Sequence, residues 1–134
     1  MTTTADKVLT VITLVSIPTV MFGGYSLLRL LGTDRLTEFQ TQFFRAGHAH
    51  AGVLLVLTLA SLSVAARFGV SATLTWVVGL LLLIGTLAMS GGMFLHMGIG
   101  QPGQWSWGNT LSTLGAVLLA SGLVTLVVGV IRSP

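Results

Sequence analysis

Four long apolar runs separated by short polar stretches set the layout of this chain. They extend from about Val8 to Leu31, Arg45 to Ala66, Thr73 to Met97 and Thr110 to Ile131. Each is close to the roughly 20 residues that a helix needs to cross a bilayer. The short turns between them make neighbouring spans antiparallel. The pattern therefore predicts an all-α integral membrane protein. Residues 1–134 form one domain, a four-helix bundle of up-down-up-down topology.

Within span one, Pro18 removes the hydrogen bond to the carbonyl of Leu14, and Gly23-Gly24 follows. A bend is expected there, opening space beside the two glycines. The connection from Gly32 to about Phe44 is polar, yet Leu36, Phe39 and Phe43 recur at helical spacing. It reads either as a short interfacial helix lying on the membrane or as an ordered loop. The loop before span four carries Gly100, Pro102 and Gly103, then Trp105 and Trp107, which resemble an aromatic interface belt. Asn109 is the expected N-cap of span four. Gly79, Gly85, Gly115, Ser121, Gly122 and Gly129 are small residues that let helices approach closely in lipid.

Composition agrees. Hydrophobic residues make up 53% and charged residues 7% of the 134, and mean hydropathy is +0.95. A soluble domain carries about 25% charged residues, so the natural partner of this surface is the lipid bilayer. The sequence pI near 10.8 reflects a net charge of +3 on few charges. Those charges sit at the ends of apolar runs, which argues against nucleic acid. With no cysteine, disulfides, iron–sulfur clusters and thiolate zinc sites are excluded. Lys7, Arg67 and Arg132 lie at one face and Arg29, Arg35 and Arg45 at the other, so the positive-inside rule does not decide orientation. The charge-free, Trp-containing loop reads as external. The expectation is a bacterial plasma membrane with both termini cytoplasmic.

The chemistry concentrates in three histidines. His48 and His50 stand at the start of span two and His96 near the end of span three, so topology assigns all three to one leaflet. A histidine at membrane depth is a functional-site hypothesis by default. His48 and His50 point roughly 200° apart on a helix, so only one of them can face a given ligand. His96 ends a stripe of Gly85, Met89, Gly92 and Met93. Glycines leave room for a flat ligand, and thioethers make soft linings. This combination fits haem b, with His50 or His48 on one side of the iron, His96 on the other and Arg45 paired with a propionate. His50, the deeper of the pair, is preferred. Met93 or Met97 could replace His96. Imidazole and thioether also suit copper, and a quinone hydrogen-bonded to a histidine is a third possibility. The only acids are Asp6, Asp34 and Glu38, none within a span, and no nucleophile–base pair is visible. The sequence thus assigns no catalytic centre. Glu38 could take a second-shell role beside His48 or His50 if the connecting segment folds over the bundle.

The segment Arg45-Ala46-Gly47-His48-Ala49-His50-Ala51-Gly52 resembles the Arg-x-x-His-x-His helix start of the haem-copper oxidase subunit I superfamily. It is most similar to short four-span proteins related to the catalytic subunit of cbb3-type oxidases. The likeness covers roughly span two. Where that family often has a Gly-Trp pair after the histidines, this chain has Ala51-Gly52-Val53. Three histidines cannot build both a low-spin haem and a haem-copper centre, so the resemblance implies at most one haem and no oxygen reduction. The expected function is a small histidine-ligated haem or electron-transfer protein, accessory to a larger redox complex or working as a homo-oligomer. The alternative is a non-catalytic membrane subunit or assembly factor.

Overall fold

The computed structural model describes residues 3–133. They form α1 (Thr4–Leu31), α2 (Glu38–Arg67), α3 (Ala72–Ile99) and α4 (Trp107–Arg132), antiparallel in sequence order. All four are long and apolar enough to span a bilayer. The up-down-up-down bundle is therefore present.

Each helix is longer than its apolar run, and in α2 the extension is a polar first turn. Thr37 caps α2, accepting from Gln40 N–H at 3.2 Å while the Gln40 side chain accepts from Thr37 N–H at 3.0 Å. That reciprocal pair satisfies two of the donors a helix start leaves unpaired. The expected interfacial helix or loop before span two is thus neither: α2 runs unbroken from Glu38 through Arg45 and onward. Its 30 residues are about 45 Å long, well beyond a hydrocarbon core of about 30 Å. Its first turns, Glu38 to Phe44, extend past the apolar run. At α4 the cap is Ser106, not Asn109. Asn109 sits three residues in and closes the box by accepting from Ser106 N–H at 2.9 Å. Pro18 lies inside α1, which is assigned as one continuous helix across it.

The closest helix pair is α3 with α4, and glycine is the reason. Gly108, Gly115, Gly122 and Gly129 recur every seven residues on α4, all buried, and Gly85 and Gly92 repeat the interval on α3. A seven-residue repeat keeps one face of a helix turned to its neighbour. A Cβ built on Gly92 would lie 2.6 Å from the Gly108 carbonyl, and one on Gly85 would lie 3.0 Å from that of Gly115. The two backbones touch, and Ser112 Oγ donates across to the Met89 carbonyl at 2.9 Å. The apolar core joins Ala65, Val78, Leu82, Leu119 and Leu126. A smaller cluster of Ala5, Leu9 and Leu62 fastens the N-terminal half of α1, with Leu9 pressed onto Gly79. Beyond it α1 is loosely held: 11% of its spanning segment is buried, against 28%, 33% and 28% for α2, α3 and α4.

Candidate functional site

The three histidines lie toward the same end of the bundle but in three different environments. His96 is 4% exposed. Its Nδ1 is 2.7 Å from Ser106 Oγ, and that oxygen also accepts from Gly108 N–H at 3.0 Å as the cap of α4. The rings of Phe39 and Phe43 stand edge-on to the imidazole at centroid distances of 5.2 and 4.4 Å. Gly100 closes against the ring where α3 ends, because a Cβ there would collide with it. His96 therefore ties together the end of α3, the start of α4 and the first turns of α2.

His50 is half-buried, and its Nδ1 donates to the Ala46 carbonyl at 2.8 Å, one turn back. That bond leaves Nε2 as the acceptor or ligand atom of a neutral ring. His50 shares a helix face with Phe43, Gly47 and Leu54. Phe43 meets His96, Gly47 abuts the Phe94 ring and Leu54 packs on the core. His50 is thus on the side of α2 that looks toward α3.

His48 looks the other way, toward α1. A Cβ on Gly24 would lie 2.9 Å from its Cε1 and Nε2, and one on Gly23 would lie 3.7 Å from Nδ1. The imidazole lies against a glycine step in the α1 backbone, so the space expected beside Gly23-Gly24 is taken by His48. It borders a cavity of about 520 Å³ with Val20, Met21, Gly52 and Leu55. It also borders one of about 250 Å³ with Thr19, Gly23, Ala51 and Phe94. A third cavity of about 400 Å³ lies between α1, α2 and α3 and shares Thr19, Val20, Ala51 and Phe94 with the second. Together they form one apolar groove system along the loosely held side of α1.

The remaining expected residues spread out. Arg45 is exposed near the start of α2, and Met93 is half-buried one turn before His96. Met89 packs into the α3–α4 core. Gly85 and Gly92 do not clear room for a flat ligand, because Gly115, Leu119, Gly108 and Ser112 fill it. A haem fits poorly beside His96 in this packing: Phe39, Phe43, Ser106 and Gly100 surround the ring. The sequence predicts space beside Gly23-Gly24 but not a groove that runs on to Ser90 and Gly91 of α3. Its signals were Gly23-Gly24 in span one and Ser90-Gly91 in span three, adjacent small residues that are also common in ordinary packing. Comparison of the chain with family models, curated proteins and solved structures finds no match.

Proposed function

We propose that the protein binds a lipid-soluble redox ligand of quinone type in the groove along α1, as an accessory component of a membrane redox system. The observation that carries this reading is the setting of His48, the histidine that borders cavities on both sides of the α1–α2 contact. Ligand sites are mostly apolar concavities of about 300–1,000 Å³ with few polar anchors. This groove has that size and make-up, and an imidazole can donate to a quinone carbonyl while apolar walls take the tail. A ligand dissolved in the bilayer reaches it without crossing the bundle.

Haem is the second reading, favoured by one detail. His50 donates through Nδ1 to a backbone carbonyl, the arrangement that orients ligating histidines. A haem would be held by His50 on the α3 side, with Met93 opposite. The group would supply one-electron chemistry; the chain would supply orientation and a dry setting.

One preparation tests both. Protein purified from native membranes is extracted with organic solvent, and its visible spectrum is recorded. The quinone reading expects near-stoichiometric quinone in wild type, strongly reduced in His48→Ala, and no Soret band. A Soret band lost in His50→Ala but kept in His48→Ala would replace it with haem. Neither quinone nor haem would leave a packing subunit whose histidines serve the fold.

A further inference from the structure

Many hydroxyl side chains inside these helices bond back to their own backbone. Thr13, Thr58 and Thr86 donate to the carbonyls of Leu9, Leu54 and Leu82 at 2.7, 2.8 and 2.7 Å. Ser26 and Ser121 do the same outside the core, and so does Ser16 in the groove. This is how a hydroxyl is normally satisfied where water is absent. Two buried hydroxyls break the pattern: Thr75, which lines none of the cavities described above, and Ser90. Ser90 is 5% exposed, its Oγ has no hydrogen-bond partner among the described residues, and it lines the cavity of about 400 Å³ between α1, α2 and α3. An unpaired hydroxyl in an apolar interior is unfavourable, so one beside a cavity points to an acceptor that comes from outside.

Two further features say what that acceptor belongs to. Ser90 lies between four and five residues past the middle of α3, and His48 the same distance before the middle of α2, which runs the other way. At 1.5 Å per residue both stand about 7 Å from the centre on the same side. The cavities that each lines share Thr19, Val20, Ala51 and Phe94. Beside Ser90, Gly91 also lines the groove, and a Cβ added there meets nothing within 4 Å. Two donors at one depth, an aromatic wall and a glycine notch describe a site for a flat ring with an acceptor at each end. We infer that Ser90 is the second anchor and that the ligand is a para-quinone, one carbonyl taking a hydrogen bond from His48 and the opposite one from Ser90. This rests on the reading of the groove as a ligand site.

The test uses the full chain in phosphatidylcholine nanodiscs, titrated with a para-benzoquinone carrying a decyl chain and with a mono-ketone ring of the same chain. Wild type is expected to bind the quinone about three- to tenfold more tightly than the mono-ketone, the span of one net hydrogen bond. Ser90→Ala should weaken the quinone by that factor, leave the mono-ketone unchanged and erase the discrimination. Without ligand, Ser90→Ala should melt at the wild-type temperature or above, because it loses no internal bond. Gly91→Leu should fold normally and lower affinity for both more than tenfold by filling the notch. If wild type binds neither compound, the functional reading itself falls. If wild type binds the quinone and Ser90→Ala binds it equally well, the Ser90 assignment alone falls. A lower ligand-free melting temperature in Ser90→Ala also overturns the assignment, since the hydroxyl would then be spent inside the protein.

Discussion

At the scale of single residues, most glycines and one histidine of this chain are explained by contact rather than chemistry. Gly115 faces the backbone of α3, where a Cβ would sit 2.8 Å from both the Gly85 carbonyl and Met89 Cα. Backbone cannot swing aside, so Gly115→Ala must push α3 and α4 apart. The expected loss is about 1–3 kcal/mol, read as a lower melting temperature in detergent. Gly98→Ala is the control: nothing lies within 4 Å of its added Cβ, so it should be neutral or slightly stabilising. His96 and Ser106 form the second such unit. Ser106→Ala removes the α4 cap and the partner of His96 Nδ1 together, at an expected cost of about 1–2 kcal/mol. His96→Phe keeps a ring against Phe39 and Phe43 but gives up the hydroxyl contact. If the contact is real, the two changes combined should cost less than their sum by at least about 0.5 kcal/mol; strict additivity in a double-mutant cycle would refute it.

At the scale of helices, the uneven hold on α1 is the feature with consequences. Its N-terminal half is fixed by Leu9 against Gly79, while its second half meets α2 chiefly through His48, Gly23 and Gly24, with cavities on either side. Regions with few buried apolar contacts open at low free energy. Amides of α1 beyond Pro18 should therefore exchange hydrogen at least about tenfold faster than those at the α3–α4 glycine contact, and adding a quinone should slow them. Equal protection in the two places would remove the loose-helix account of ligand entry. The elements themselves were legible: four apolar runs gave four helices, because in lipid an apolar stretch of this length has no other way to satisfy its backbone. Their ends were not, since Thr37, Gln40 and Ser106 read as loop by polarity while acting as caps. Periodicity also separated His48 from His50 correctly, onto opposite faces of α2. It could not say which neighbour each face meets. That depends on interhelical contacts such as the glycine step under His48 and the α4 backbone beside Gly92, which no single-helix pattern contains.

At the scale of the whole molecule, four crossings impose a constraint that does not depend on any ligand. Thr3 and Ser133 flank the first and last helices and must lie on one side of the membrane. The two connections at the opposite end then share a side: the short one through Asp34 and Arg35, and the Gly-Pro loop through Gln104. That second side carries the start of α2, the buried His96 and the exposed Trp105 and Trp107. Tryptophan favours the headgroup level, and Trp105 is fixed there by donating from Nε1 to Thr110 Oγ1 at 3.0 Å. Arg29, Arg35 and Arg45 on this side balance Lys7, Arg67 and Arg132 at the other, so the loop's lack of charge is the one reason for proposing that it faces outward and the termini face the cytoplasm. The chain has no native cysteine, so single cysteines report without background. In intact cells, a membrane-impermeant maleimide should label Gln104→Cys at once and Thr3→Cys only after lysis. The reverse order would invert the orientation and leave the bundle intact. Labelling of both from the same side would mean an even number of crossings between them instead of three, and with it the shared depth of His48 and Ser90 would be lost.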